Sequence, residues 1–225
     1  MNRKIYNRIT EIVKSSPSTL YNYSEMQNAI RGIFDVNVEI NDQDNLIQIA
    51  DKTDKAVLGK YFAEVWQSKT KSYKYSGLAL IDEVNNLKPR SVLDLGCGFN
   101  EFKGKIKNVI GIDPYNKKAD IQSSILEYQS KVPYDVVISL GSINFGTVDN
   151  ILQELKHAVK LTTKGGLMFF RVNPGKLHQA KESQWIEFFD WNTEFILNSA
   201  NLLGCQVVSI KPDGDRFYFV WKVLG

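Results

Sequence analysis

The stretch Asp94-Leu95-Gly96-Cys97-Gly98 sets a carboxylate and two glycines at the end of the apolar run Ser91-Val92-Leu93. Glycines in such a turn let the backbone bend sharply and let a ligand approach main-chain N–H groups, including those of a helix that follows. Fifteen residues beyond Gly98 stands Asp113, which closes a second apolar run, Val109-Ile110-Gly111-Ile112. A carboxylate there can accept hydrogen bonds from both hydroxyls of a ribose. Capping of a turn before Pro114 is its structural alternative. Together the glycine turn and the acid predict a nucleoside pocket at the tips of adjacent strands. A nicotinamide dinucleotide fits poorly, because Glu101 occupies the third glycine position of its fingerprint. A side chain there crowds the helix against the strand, and an acid repels pyrophosphate. Asp94 suits a cationic ligand better than a diphosphate.

These residues need a scaffold that brings strand tips together. Nearly continuous apolar runs predict strands at 91–95, 108–112, 135–140 and 166–172, the pattern of parallel strands covered on both faces. Two more strands are expected at 204–211 and 216–223, joined by the turn Lys211-Pro212-Asp213-Gly214-Asp215. Helical spacing predicts helices near 100–106 (short), 121–129, 148–162 and 183–202, and earlier ones from Leu58 through Trp66 and near 76–87. Alternating strands and helices with a final hairpin imply an α/β, Rossmann-like, doubly wound and mostly parallel sheet with a C-terminal antiparallel hairpin strand. The first sixty or so residues read differently. Ile5, Ile9, Ile12 and Val13 form one helical stripe, and Leu20, Tyr23, Met26, Ile30 and Ile33 a second. The alternation Val36, Val38, Ile40, then Leu46 (or Ile47) and Ile49 across Asn41–Asn45, predicts a β-hairpin. Residues 1–57 are therefore read as a small helical or α+β accessory segment, and 58–225 as the main domain.

The ordered motifs resemble the class I S-adenosylmethionine-dependent methyltransferase family over roughly residues 60–225. Asp94-Leu95-Gly96-Cys97-Gly98 is similar to the family motif that cradles the methionine part of the cofactor. Asp113 matches the acid that holds the ribose. Pro114 and Tyr115 stand where the family often packs a residue on the adenine face. Ala119-Asp120-Ile121 resembles the motif whose acid reads the adenine amino group. Tyr134 through Ser142, with Ser139, Leu140 and Gly141 facing the cofactor, resembles the family's fourth strand. Lys164-Gly165-Gly166-Leu167 resembles the turn into its fifth. The resemblance implies S-adenosyl-L-methionine as cofactor and methyl transfer as the reaction. The chain departs from the family at Asn100, where another glycine is common, and in the short helix after the turn.

Methyl transfer from a sulfonium needs alignment and water exclusion more than a catalytic triad. Acceptor contacts are expected at the ends of the fourth and fifth strands: Ser142, Asn144, Phe145, Arg171, Asn173 and His178. Asn144 or Asn173 could orient an acceptor through its amide, and Arg171 could clamp a carboxylate or phosphate. His178 is the general-base candidate by location, with a surface-loop histidine as its structural alternative. His157 is read as structural or solvated. Tyr61, Trp66, Tyr73 and Tyr75 could roof the cofactor or pack an N-terminal helix on the sheet, and Lys69 or Lys71 could meet its carboxylate. Lys69, Lys71 and Lys74, interleaved with Tyr73 and Tyr75, otherwise read as a solvated face.

The chain has 225 residues, 43% hydrophobic and 24% charged, with a formal net charge of +3. That balance fits one sizeable core and gives no general case for nucleic acid. Cys97 and Cys205 are too few for a disulfide framework or a zinc cluster. No apolar run follows the basic N-terminal residues, so no signal peptide is read, and a cytoplasmic protein is expected. Ser139-Leu140-Gly141-Ser142 stands where amino-methylating DNA enzymes carry Asn/Asp-Pro-Pro-aromatic, and neither cysteine fits a cytosine-C5 nucleophile. Specific DNA is therefore disfavoured. A small-molecule acceptor is favoured over RNA or protein. A catalytically inactive binding or assembly module is the competing class; an aminopropyl transferase would need an acid-rich polyamine site that the sequence lacks.

Overall fold

The computed structural model describes residues 1–66, 73–176 and 178–225. The chain forms two compact units, one of Met1–Trp66 with Leu177–Glu187 and one of Gln67–Lys176 with Phe188–Gly225. Among the described residues no helix is long and apolar enough to cross a membrane.

In the first unit, α1 (Arg3–Ser15) buries Ile5, Ile9 and Ile12, the stripe expected from the sequence. Asn2 caps it by accepting from the Lys4 and Ile5 N–H groups, and its Nδ2 donates to Asp54 Oδ1 at 2.9 Å and Trp185 O at 2.7 Å. α2 (Tyr23–Phe34) buries Met26, Ile30 and Phe34. The expected hairpin is absent among the described residues. Val36, Val38 and Ile40 alternate inward as extended chain. Leu46, Ile47 and Ile49 instead open α3 (Leu46–Lys60). A few alternating apolar residues fit either period, and the Asn45–Gln48 capping box decides for helix. α3 runs on into a π-helical turn, Tyr61–Val65, so the helix expected from Leu58 is its tail. Asn2→Ala removes a helix cap and two partly buried bonds at once. We expect it to lower stability by about 2 kcal/mol in urea unfolding; no change would mean that Asn2 does not secure the helix.

The second unit is built on a sheet of order β2-β1-β3-β4-β6-β5 among the described residues. The strands are β1 (Val92–Leu95), β2 (Val109–Ile112), β3 (Tyr134–Leu140), β4 (Thr162–Val172), β5 (Cys205–Asp213) and β6 (Arg216–Val223). The first four are mutually parallel, and β6 runs antiparallel to both β4 and β5. α5 (Val148–Lys160) and α6 (Thr193–Leu202) cover one face through Ile151, Leu155, Ala158, Ile196 and Ala200. α4 (Leu80–Asn86) covers the other through Leu80 and Val84, beside Phe102 and Ile106. The fold is Rossmann-like, a mostly parallel sheet ending in an antiparallel hairpin.

Three expected helices need correction. Residues 100–106 run as turns, because Gly98, Asn100 and Gly104 take left-handed φ of 53°, 57° and 77°. Phe102 and Ile106 still bury against the sheet. Residues 121–129 form no helix either. Ser123 and Ser124 spend their hydroxyls on local partners there, and Ile121 pairs with Ile112 only as an isolated bridge. Of 183–202 only Thr193–Leu202 is α-helix, opened by Asn192, whose side chain accepts from Phe195 N. The aromatic residues before it are held as irregular chain, with bridges Phe145–Phe188 and Pro174–Asp190 and a Trp191 Nε1 bond to Ile143 O at 3.1 Å.

Candidate functional site

Because β1 lies between β2 and β3, the chain reverses its direction of winding there. A crevice outside the carboxyl ends of the strands is the usual ligand position at such a point. Asp94 sits on β1 just before it, 3% exposed. Among the described residues nothing donates to its carboxylate, and burial, then the charge of Asp113, push it up to about 7.

The turn after β1 is shaped partly by the protein itself. Gly96 and Gly98 take φ of 67° and 53°, where a side chain is strained. A Cβ on Gly96 would also fall 2.3 Å from the Ser142 Cβ. Ser142 Oγ donates to Leu95 O at 2.6 Å and meets Ser139 Oγ at 2.8 Å, tying the tips of β1 and β3. Ser139 is 1% exposed, and Gly141 beyond it has φ 102°. Burial, then the acids around it, push the Cys97 thiol far above its ordinary range, which disfavours a thiolate there.

Asp113 joins the second strand to this turn. Its Oδ2 accepts from Gly98 N at 3.0 Å, and its Oδ1 from Tyr115 N and Asn116 N, each at 2.8 Å. The turn-capping role weighed from the sequence is therefore real, at the position expected to face a ribose. Pro114 and Ile121 are exposed and Tyr115 is half-buried. The Asp120 oxygens are taken up internally: Oδ2 accepts from Gly111 N at 2.9 Å and Asn100 Nδ2 at 3.3 Å, and Oδ1 pairs with Lys103 Nζ at 2.7 Å. Burial would raise this carboxyl, but those donors outweigh it and lower it. Asn100 takes over a glycine's left-handed conformation and adds a bond to Lys118 O at 3.0 Å. Gly111, mid-strand, makes room for it: a Cβ there would lie 2.7 Å from Asn100 Oδ1 and 2.8 Å from Cys97 Sγ. Sequence reasoning missed that pairing, although a glycine inside an apolar strand signals a close approach.

The acceptor-side candidates divide. Asn144 and Asn173 are 4% and 2% exposed and knit the loops after β3 and β4. Asn144 Oδ1 accepts from Asn173 N at 2.8 Å, while the Asn173 amide binds Lys176 O at 2.7 Å and Lys176 N at 2.8 Å. Arg171, next to last in β4, holds its guanidinium over the Tyr73 ring. Tyr75 stacks on Tyr218 at 5.9 Å. His178 belongs to the first unit, where its Nδ1 and the Tyr61 hydroxyl lie 2.6 Å apart. Tyr61 and Trp66 are in that unit too, whereas Tyr73 and Tyr75 are in the second. His157 Nε2 meets Tyr128 O at 2.8 Å, a structural contact. Lys69 and Lys71 lie outside the described residues.

No protein-family model matches the chain, and no curated protein matches it. Solved structures do. The chain is similar to the 1,6-didemethyltoxoflavin-N1-methyltransferase of Burkholderia thailandensis, solved with 1,6-didemethyltoxoflavin and S-adenosylhomocysteine, at TM-score 0.61 and 12% identity over 84% of this chain and 95% of that one. It is similar to the N-methyltransferase NodS of Bradyrhizobium japonicum in complex with S-adenosylhomocysteine, at TM-score 0.53 and 11% identity over 76% and 98%. A third is an S-adenosylmethionine-dependent methyltransferase of Clostridium acetobutylicum, at TM-score 0.51 and 13% identity over 80% and 99%. At these identities the likeness establishes the fold.

Proposed function

We propose that this chain is an S-adenosylmethionine-dependent methyltransferase acting on a small molecule. One observation carries the reading: Asp94 is a buried carboxylate at the winding reversal, with no donor of its own among the described residues. A carboxylate so placed is costly unless something outside the protein supplies positive charge or hydrogen-bond donors. The amine and sulfonium of S-adenosylmethionine supply both, and a diphosphate supplies neither. When bound, the cofactor contributes a methyl group on an excellent leaving group.

The chain's own residues then bind and orient. Asp94 takes the amine, with Gly96, Cys97 and Gly98 giving the main-chain approach. Asp113 has one lone pair beyond its three backbone donors and sits where the ribose is expected. Pro114, Tyr115 and Ile121 offer apolar surface for the adenine, Asp120 holds the loop that carries Ile121, and Ser139, Leu140 and Gly141 form the facing tip. The small-molecule acceptor is supported by the modest charge and by the small-molecule N-methyltransferase named above. RNA or protein acceptors remain the alternatives that a broad substrate panel would detect.

Calorimetric titration with S-adenosylmethionine and S-adenosylhomocysteine is the direct test; binding of neither would refute the reading. A pH series adds a sharper one. Only the ionised form of Asp94 attracts an ammonium, and in the empty protein that form is lost as pH falls through about 7. Affinity for S-adenosylhomocysteine should therefore fall about tenfold from pH 8 to pH 6. A flat profile would mean that Asp94 does not face the ligand's charge.

A further inference from the structure

Arg171 is an unusual arginine for a strand end. It alternates with Leu167 and Phe169 on the sheet face that α4 covers, and its Cα partner on β6 is Tyr218. Its side chain is 12% exposed. The guanidinium carbon lies 3.6 Å from the centroid of the Tyr73 ring, a close cation–π contact. Its ion-pair partner is Asp213, whose Oδ2 is 3.5 Å from Arg171 Nε, and the charge of Asp215 also bears on it. That supports the charge without making a good hydrogen bond. Nε is buried and, among the described residues, has no hydrogen-bond partner. Among the described residues no acceptor takes a hydrogen bond from any nitrogen of this guanidinium.

Asp213 does not fill the fork because it is committed elsewhere. Its Oδ1 accepts from Lys74 N at 2.8 Å and Tyr75 N at 3.2 Å, and its Oδ2 accepts from the Ser76 hydroxyl. It is 1% exposed and fixed to the 74–76 segment. Further positive charge gathers near by. Lys74 and Lys211 reach over the Tyr75 ring at 5.1 Å and 4.7 Å from its centroid. A planar donor group that is stacked, largely desolvated and without an acceptor among the described residues matches an oxyanion brought from outside.

We infer that Arg171, seated on Tyr73 and backed by Asp213, binds a carboxylate or phosphate carried by the methyl acceptor, so that the substrate is an anionic small molecule. Naming the anion's carrier as the acceptor rests on the methyl-transfer reading; the anion site itself does not. The competing account is a purely structural strap that holds the Tyr73 segment to β4. A strap needs a cation on a ring and is served by lysine. An oxyanion clamp needs the two-pronged fork and is not.

The test uses the full chain, with and without saturating S-adenosylhomocysteine, titrated with benzoate, phenyl phosphate and neutral benzamide. Binding is followed through the Arg171 Nε–H signal in 1H–15N spectra, assigned by its loss in Arg171→Lys, and by calorimetry for the variants. Benzoate or phenyl phosphate should bind about tenfold more tightly than benzamide, and whichever binds better names the oxyanion. Arg171→Lys should weaken that anion about fivefold, and Arg171→Met more, with S-adenosylhomocysteine affinity unchanged. Should Arg171→Met fail to fold, Arg171→Lys keeps the charge and decides alone. No preference for either anion over benzamide, or equal anion binding by wild type and Arg171→Lys, overturns the inference. If S-adenosylhomocysteine does not bind while the anion still shifts the signal, the methyl-transfer reading falls and the anion site stands.

Discussion

Asp94→Asn is expected to weaken S-adenosylhomocysteine binding about a hundredfold and, at pH 8, to raise the melting temperature. The two effects share one cause. The Asp94 carboxyl is buried beside the charge of Asp113 and sits at about 7 instead of an ordinary 3.8. A carboxyl raised in the folded state binds its proton more tightly folded than unfolded. Its contribution is thus fully present below the unfolded value and is lost as pH rises through about 7. That rise corresponds to about 4 kcal/mol once both states are ionised. An amide carries no such charge. The variant should therefore match the wild type near pH 4 and exceed it by about 2–4 kcal/mol at pH 8, or roughly 5–15 °C in a chain of this size. Glu154, held up to about 8 by burial alone, adds a slope of the same sign to both proteins and cancels in the comparison. In binding, the variant loses a charge-assisted bond to the ammonium in a desolvated place, a loss of about a hundredfold or more. Thermal melts across pH together with calorimetry read both. A variant less stable at pH 8 would show that Asp94 is satisfied internally. Undiminished affinity would remove it from the pocket.

The strands were legible because buried parallel strands leave an almost uninterrupted apolar signature. The runs around Leu93, Ile110, Val137 and Phe169 each mark a strand of the sheet. The sequence Pro212-Asp213-Gly214 likewise announced the antiparallel pair, although Pro212 and Asp213 belong to β5 and the turn is only Gly214-Asp215. Helices were most legible where a cap agreed with the periodicity, although α4 followed from its apolar spacing with no side-chain cap. Thr147 and Asn150 open α5 with a reciprocal box, and helix follows. At 100–106 the apolar spacing of Phe102 and Ile106 was present, but left-handed Asn100 and Gly104 break the ladder. Periodicity reports which side of a segment is buried; it does not report whether the backbone can stay helical. The same limit produced the false hairpin at Val36–Ile49, where Asn45 and Gln48 carried the decisive signal. At the candidate site, residue types were readable and their partners were not. Asp113, Asp120 and Asn173 each had a plausible ligand, yet Asp113 and Asp120 also serve backbone brought close by folding, and Asn173 closes a local turn with Lys176. Asp213, which anchors the 74–76 segment far away in sequence, looked like an ordinary turn residue.

Gly96 separates a ligand's demand for glycine from the protein's own. Gly96→Ala is expected to lose about 3–5 kcal/mol of stability, since it combines a left-handed φ with a Cβ set 2.3 Å from the Ser142 Cβ. Ser142 cannot retreat without giving up its bonds to Leu95 O and Ser139 Oγ. Gly96→Ala combined with Ser142→Gly removes the obstructing side chain and leaves only the conformational strain, about 1 kcal/mol beyond the loss of the tie itself. The double variant should thus recover more than half of the lost stability, a coupling that a double-mutant cycle in urea measures directly. Its binding behaviour then carries the functional content. If the turn must also admit a ligand against its main chain, the refolded double variant stays weak for S-adenosylhomocysteine, because the methyl group persists where the ligand approaches. If affinity returns along with stability, Gly96 serves only the junction between β1 and β3, and the main-chain approach must come from Gly98. If stability does not return, the strain lies in the backbone conformation and not in the crowding by Ser142.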